Sequence, residues 1–246
     1  MRTTLGKCGF AQAYPATRRS AWLRGLTAAG IALTALGAMA GSAAAQGAPG
    51  PKLKTQLSDK RPDTVIMQWG GSITTDMAEQ IKRDFAQWRG RIKRVQLKLS
   101  AGGLSVRQAE QVIQVLRDIK RTHALETSVE VNSQCYQMCV YVFAQGDVRF
   151  GALTSTWLFT QVTYNDAQTN KLVINVADSD KFIRQYLEPA GVSKAWLADL
   201  RTQWNNTKYW QTGGDLVAAK SGLITTTLGN RVPRKVVPPT ARTASR

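Results

Sequence analysis

The residues with the types and spacing to do chemistry fall in two short stretches. The first is Asn132-Ser133-Gln134-Cys135-Tyr136-Gln137-Met138-Cys139, which follows a β-branched run and leads into the apolar segment VYVFAQG. Ser133 and Cys135 are nucleophile types. A residue in the first turn of a helix behind a buried strand sits in a positive field, a good place for a nucleophile. The second stretch is Leu99-Ser100-Ala101-Gly102-Gly103. Paired glycines at a strand end let the chain turn sharply and leave N–H groups open to a carbonyl oxygen or an oxyanion, although an ordinary turn uses the same residues. The chain has one histidine, His123. It lies between a helix and a strand and reads as a helix-end residue.

Cys135 and Cys139 stand at C-x-x-x-C spacing, which in a helix places both on one face about a turn apart. That is not the C-x-x-C of thioredoxin-like chemistry, and no second histidine is present to complete a metal site. A bridge inside a regular helix would strain it, whereas one with Cys135 just ahead of the helix is feasible. A structural role, as a staple or as two small buried residues, therefore outweighs redox catalysis. No P-loop or dinucleotide fingerprint occurs, so no cofactor is expected.

Strand and helix signals alternate around these stretches. Thr64–Trp69 is a β-branched, apolar run ending at Gly70-Gly71. Asp76 and Glu79 form a capping-box pattern for a helix whose inward stripe is Met77, Ile81, Phe85 and Trp88. Val95–Leu99 alternates as a strand. Ser105, with Gln108, caps a second helix striped by Val106, Ala109, Ile113 and Leu116. Thr127–Val131 is a third strand, Cys135–Gln145 an apolar helix stopped by Gly146, and Thr156–Val162 a fourth strand. Helices follow around Asp180–Leu187 and Lys194–Trp204, the latter capped by Ser193. This order predicts a single α/β domain with a largely parallel sheet, right-handed crossovers and flanking helices. Binding sites in such sheets form at the carboxyl ends of the strands. That places the interest just after Leu99, just after Val131 and near the end of Thr156–Val162.

L-S-x-G-G, then C-x-x-x-C running into an apolar helix, A-x-G and Arg149, resembles the periplasmic relatives of the Clp protease proteolytic subunit, within the Clp/crotonase superfamily. Tyr209-Trp210-Gln211-Thr212 followed by Ala218-Ala219-Lys220-Ser221-Gly222-Leu223-Ile224 is similar to that family's G-L-I-D ending. The resemblance covers about residues 64–228. It implies a Clp/crotonase-like fold with repeated β-β-α units, self-assembly into rings or trimers, and a groove for an extended peptide lined by Gly102 and Gly103.

The departures from that pattern bear on function. The family's nucleophilic serine lies between the two cysteines, where this chain has Gln137; an amide is not a nucleophile. The family's histidine base falls at Thr160, and its G-L-I-D aspartate at Thr225. With His123 misplaced for that role, Ser-His-Asp and Cys-His chemistry both lack a base. Two readings follow. One is a pseudoenzyme that binds a peptide or protein by backbone pairing in the groove. The other is an unconventional hydrolase using Ser133 or Cys135 with a lysine base, as in related signal-peptide peptidases, Lys208 being the nearest candidate by the resemblance.

The formal net charge is +17, and ten of those positive charges lie in acid-free ends, five in residues 1–45 and five in 231–246. The remaining excess could attract an anionic envelope surface, but a solvated basic face is the simpler reading. No nucleic-acid-binding motif is present, and Trp69, Trp88, Trp157, Trp196, Trp204 and Trp210 read as core or subunit contacts rather than a base-stacking platform, so nucleic acid is not an expected partner. Basic residues up to Arg24, an uncharged Ala/Leu/Gly stretch to Ala45 and Ala43-Ala44-Ala45 predict a signal peptide cleaved before Gln46, which takes Cys8 with it. The alternative is an uncleaved inner-membrane anchor facing the periplasm. Arg18-Arg19 raises twin-arginine export, against which Ala21 stands. Residues 46–62 read as a linker, 63–230 as the domain and 231–246 as a disordered basic tail.

Overall fold

The computed structural model describes residues 53–204 and 208–229. The segment 1–45, the cleavage point at Gln46, the first part of the linker and the tail 231–246 lie outside the described residues.

The stretch 46–62 is not linker throughout. Strand β1 (Lys54–Leu57) pairs antiparallel with β2 (Thr64–Ser72), with Lys54 opposite Gln68 and Leu57 opposite Val65. Leu53 and Leu57 pack on the core, and Thr55 donates its hydroxyl proton to Asp84 at 2.6 Å. Two leucines and a free strand edge are enough to order a segment whose Pro/Gly/Lys composition suggests otherwise.

In β2, Val65, Met67 and Trp69 are fully buried. Helix α1 (Thr75–Trp88) turns Met77, Ala78 and Ile81 into the core. Its N-cap is Thr74 rather than Asp76; Asp76 sits inside the first turn, where its charge favours the positive helix end. Strand β3 (Arg94–Gly102) buries every second residue, Val95, Leu97, Leu99 and Ala101. Helix α2 (Val106–Lys120) starts at Ser105, whose hydroxyl accepts from the Gln108 amide. It buries Ala109, Val112, Ile113, Leu116 and Ile119.

β4 (Ala124–Val129) stops two residues short of the expected Val131. Asn132 takes a left-handed conformation (φ 58°), and the Ser133 amide closes a turn onto the Glu130 carbonyl. The chain then re-enters the sheet as β5 (Gln134–Tyr136) before α3 (Met138–Phe143). The expected helix Cys135–Gln145 is thus a short strand plus a short helix, and all six residues of α3 are buried. Burial on every side removes the amphipathic stripe that locates a helix start. Gly146 follows α3 for steric reasons: a Cβ there would lie 2.4 Å from Thr127 Oγ1.

β6 (Val148–Ala152), β7 (Thr156–Phe159) and a hairpin of β8 (Thr163–Asn165) and β9 (Leu172–Ile174) come next. Then follow α4 (Val176–Phe182), prolonged by a π-helical turn Ile183–Leu187, and α5 (Lys194–Gln203), capped by Ser193. The chain ends its described course in β10 (Tyr209–Thr212), α6 (Gly213–Ala218) and β11 (Thr226–Leu228).

The main sheet is mostly parallel and forked at β3. β2 runs beside β3 along its whole length, from Thr64 opposite Arg94 to Ser72 opposite Gly102. On the other side Arg94–Lys98 pair with β4, and further along Ala101 pairs with Cys135 of β5. One arm continues β4–β6–β11 and the other β5–β7–β10, with β1 and β10 as antiparallel outer strands.

A buried arginine holds the first arm together. The Arg149 guanidinium donates to the carbonyls of Gly146, Ala190, Gly222 and Leu223 at 2.8–3.1 Å. Burial lowers its pKa, against the opposite pull of Asp147. Thr225, at the position of the resembled family's aspartate, exchanges hydrogen bonds with the Arg149 backbone: its hydroxyl accepts from Arg149 N at 2.8 Å, and its amide donates to Arg149 O at 3.0 Å. Both residues are therefore structural.

Candidate functional site

The turn from β5 into α3 is built around Gln137. Its backbone lies at φ 55°, ψ −115°, a region that an L-residue enters at a cost because Cβ crowds a carbonyl oxygen. Three constraints hold it there. Its amide donates to Leu158 O at 2.8 Å, the Met138 amide donates to Gly103 O at 3.2 Å, and Cys135 and Cys139 are joined by a disulfide that spans the turn. The bridge forms because Cys135 belongs to the strand and Cys139 to the helix, which brings their Cα atoms to 5.2 Å.

The elbow opens into a cavity of about 420 Å³ lined by Gln137, Thr160, Trp204 and Lys208, with Leu104, Leu172 and Ile174 as apolar walls. The structure therefore brings together the two positions singled out as replaced nucleophile and base, Gln137 and Thr160, along with Lys208. A second cavity of about 510 Å³, which includes Arg107 and Tyr164, shares Leu104, Thr163 and Leu172 with the first. The two cavities adjoin at these shared residues, beside the β8–β9 hairpin. The hairpin is fixed by Tyr164, whose hydroxyl donates to Asp178 at 2.7 Å; that bond pushes the Tyr164 pKa up to about 12.

The other sequence candidates lie elsewhere. Ser133 is in the turn before β5 and does not line the groove. Cys135 is fully buried and its sulfur is in the bridge, so it offers no thiolate. Gly102 and Gly103 stand beside the elbow without lining the cavity. A Cβ at Gly102 would come 3.3 Å from Tyr136 Cβ, and one at Gly103 3.3 Å from Ile73 Cβ. Their small size serves the close approach of β2, β3 and β5. The Gly103 carbonyl also takes the Met138 N–H, one of the groups an oxyanion would need. His123 bonds Thr122 and the Arg89 carbonyl and stacks edge-on to Phe85 at 4.9 Å, beside a separate groove between α1 and α2. Among the described residues no three His, Cys, Asp or Glu side chains converge as metal ligands.

Trp204 and the hairpin residues Leu172 and Ile174 were not expected at the site. The hairpin had a legible signal, since Val162–Asn165 and Leu172–Ile174 are β-favouring runs around the turn-forming DAQTN.

The fold is shared with solved structures. An asparagine-to-aspartate variant of ClpP1 from Listeria monocytogenes aligns with a TM-score of 0.51 at 11% identity, covering 69% of this chain and 92% of that one. This chain has the Clp-type fold. The membrane-bound stomatin-specific protease 1510-N, a lysine-to-alanine variant in complex with a substrate peptide, aligns with a TM-score of 0.53 at 13% identity, covering 67% of this chain and 74% of that one. No family model matches the sequence, and no curated protein matches it. On the Clp-type fold the elbow carries an amide, and the cavity it opens into holds a threonine and a lysine.

Proposed function

We propose that this protein is a periplasmic, self-associating peptide-binding protein built on the Clp-type fold, without serine-hydrolase chemistry. The observation that carries this reading is Gln137 at the strained elbow. The turn that would present a nucleophile is maintained by a disulfide and two backbone hydrogen bonds, yet it presents a carboxamide. A carboxamide donates and accepts hydrogen bonds, which suits holding a peptide backbone, and it has no nucleophilic oxygen or sulfur for a base to activate. The adjoining cavities beside the hairpin have the mixed character of a ligand site, apolar walls with a few polar groups. The substrate peptide bound by the stomatin-specific protease supports a peptide as the occupant. The Cys135–Cys139 bridge supports an oxidising compartment, in keeping with the signal-like amino terminus.

The hydrolase reading keeps one point in its favour: Thr160 and Lys208 line one cavity. No hydrogen bond joins them among the described residues. The deciding experiment treats the purified mature protein with a fluorophosphonate and, separately, a thiol-reactive electrophile, followed by peptide mapping. No site-specific adduct is expected. Stoichiometric labelling at Ser133 or Thr160 would establish a rebuilt active site and end the binding-only reading.

A further inference from the structure

Strand β10 ends one arm of the sheet: it pairs with β7, and among the described residues no strand lies beyond it. The register shows which of its backbone groups are open. Gly213, just past β10, donates its N–H to Ser155 O at 2.8 Å and so faces β7. By the alternation of an antiparallel ladder Gln211 and Tyr209 face β7 as well, and Trp210 and Thr212 turn their N–H and C=O groups to the free edge. The Thr212 N–H is taken by the Asp215 carboxylate at 2.8 Å. Trp210 therefore stands at the middle of the edge with its backbone pair turned outward. It is 50% exposed and lies edge-on to Tyr136, with ring centroids 5.1 Å apart. A large apolar side chain on an open sheet edge is a combination that folded proteins normally blunt or cover.

The edge is complementary to itself. Lys208, Trp210 and Thr212 point their side chains to one face, because side chains alternate along a strand. In an antiparallel pairing centred on Trp210, that residue meets Trp210 of the second copy, and Lys208 meets Thr212 with its attached Asp215 carboxylate, once on each side of the axis. Lys208 and Asp215 are both exposed. Sliding the pairing by one step in either direction would set Lys208 against Lys208 or bring the two Asp215 carboxylates together, so charge selects the central register. We infer that β10 pairs with β10 of a second copy about a two-fold axis through Trp210, joining the two sheets. Tyr136, Leu158 and Trp210 already form a row across β5, β7 and β10, and the axis repeats that row in reverse. An unrelated strand would have to supply the aromatic residue, the cation and the carboxylate at matching positions, which this edge supplies for itself. The contact borders the elbow cavity, since Lys208 lines it. This assignment rests on the self-association in the reading above and names where it occurs.

The test follows the mature protein by sedimentation velocity from about 1 to about 200 μM, a range that spans the weak association expected of a short ladder. A monomer–dimer equilibrium is expected. Trp210→Ala, at a half-exposed position, should weaken it about tenfold or more while urea unfolding shows a folded chain. Lys208→Glu should weaken it about three- to tenfold, and adding Asp215→Lys to that variant should restore it by exchanging the charges. Trp210→Cys should form a disulfide-linked dimer under mild oxidation, because the position faces itself at a Cα separation of about 5.5 Å, whereas Lys208→Cys should not. Association that survives both Trp210→Ala and Lys208→Glu would overturn the β10 contact while leaving self-association intact. Cross-linking at position 208 in preference to 210 would overturn the register. A monomer throughout the range would overturn the contact together with the self-association in the reading above.

Discussion

Gln137→Gly should stabilise this protein, although it shortens a half-buried side chain at the centre of the site. At φ 55°, ψ −115° the cost of carrying a Cβ is on the order of 1–3 kcal/mol. Glycine removes that cost but loses about 0.5–1 kcal/mol through the greater freedom of its unfolded chain. The Gln137 side chain makes no hydrogen bond within the described chain, so little else changes. The expected net gain is about 1 kcal/mol, or roughly 2–4 °C in Tm for a domain of this size. Gln137→Ala keeps the Cβ and should stay within about 0.5 kcal/mol of the parent, so the glycine–alanine difference isolates the backbone. Urea unfolding followed by tryptophan fluorescence measures both. The five-residue loop closed by Cys135 and Cys139 contributes about 2 kcal/mol by chain entropy, so reduction should destabilise both variants by similar amounts. If Gln137→Gly is less stable than Gln137→Ala, the elbow is not strained and the argument that the turn is maintained against a conformational cost fails.

Two further outcomes follow from the fold. Arg149→Met leaves four carbonyls without their shared donor and should cost about 3 kcal/mol in urea unfolding; a loss under 1 kcal/mol would mean that the clamp is dispensable. Asp215 accepts from the Thr212 amide and hydroxyl at the start of α6, and the bond from the Thr212 amide is the main cause of its lowered pKa. A carboxylate whose folded pKa is depressed contributes stability above its unfolded value and loses it as pH falls through the folded one. Asp215→Asn should therefore be less stable at pH 7 by up to about 1 kcal/mol, with the gap closing below pH 4; a gap independent of pH would refute the assignment.

The β-branched run of β2, the alternation of β3 and the caps at Ser105 and Ser193 were legible because composition, period and a capping residue are local properties. The break between β4 and β5 was not, because it depends on Asn132 adopting a left-handed turn that places Cys135 opposite Ala101. The same break decides the cysteines: their spacing left a bridge conditional, and the extra strand supplied the condition. Gln137 and Thr160 were singled out by resemblance and do share a cavity. Trp204 was read only as a core or subunit contact, because an unpaired indole N–H cannot be seen in a sequence. The glycines show the converse. Gly102-Gly103 suggested open N–H groups, whereas the contacts of Tyr136 and Ile73 give them a packing role that no local pattern reveals.

The Arg149 clamp also constrains the order in which the chain can mature. Its acceptors come from residues 146, 190, 222 and 223, and β6, in which it lies, is paired on one side by β11. While a nascent chain has emerged only as far as α5, the guanidinium has at most two of its four carbonyls and the sheet arm has no outer strand. Burial of the charge is then less well compensated, and the arm that contains β6 gains its full set of bonds only when the later segments are present. A chain truncated before Leu223 should therefore be less stable and more open to proteolysis than the full chain.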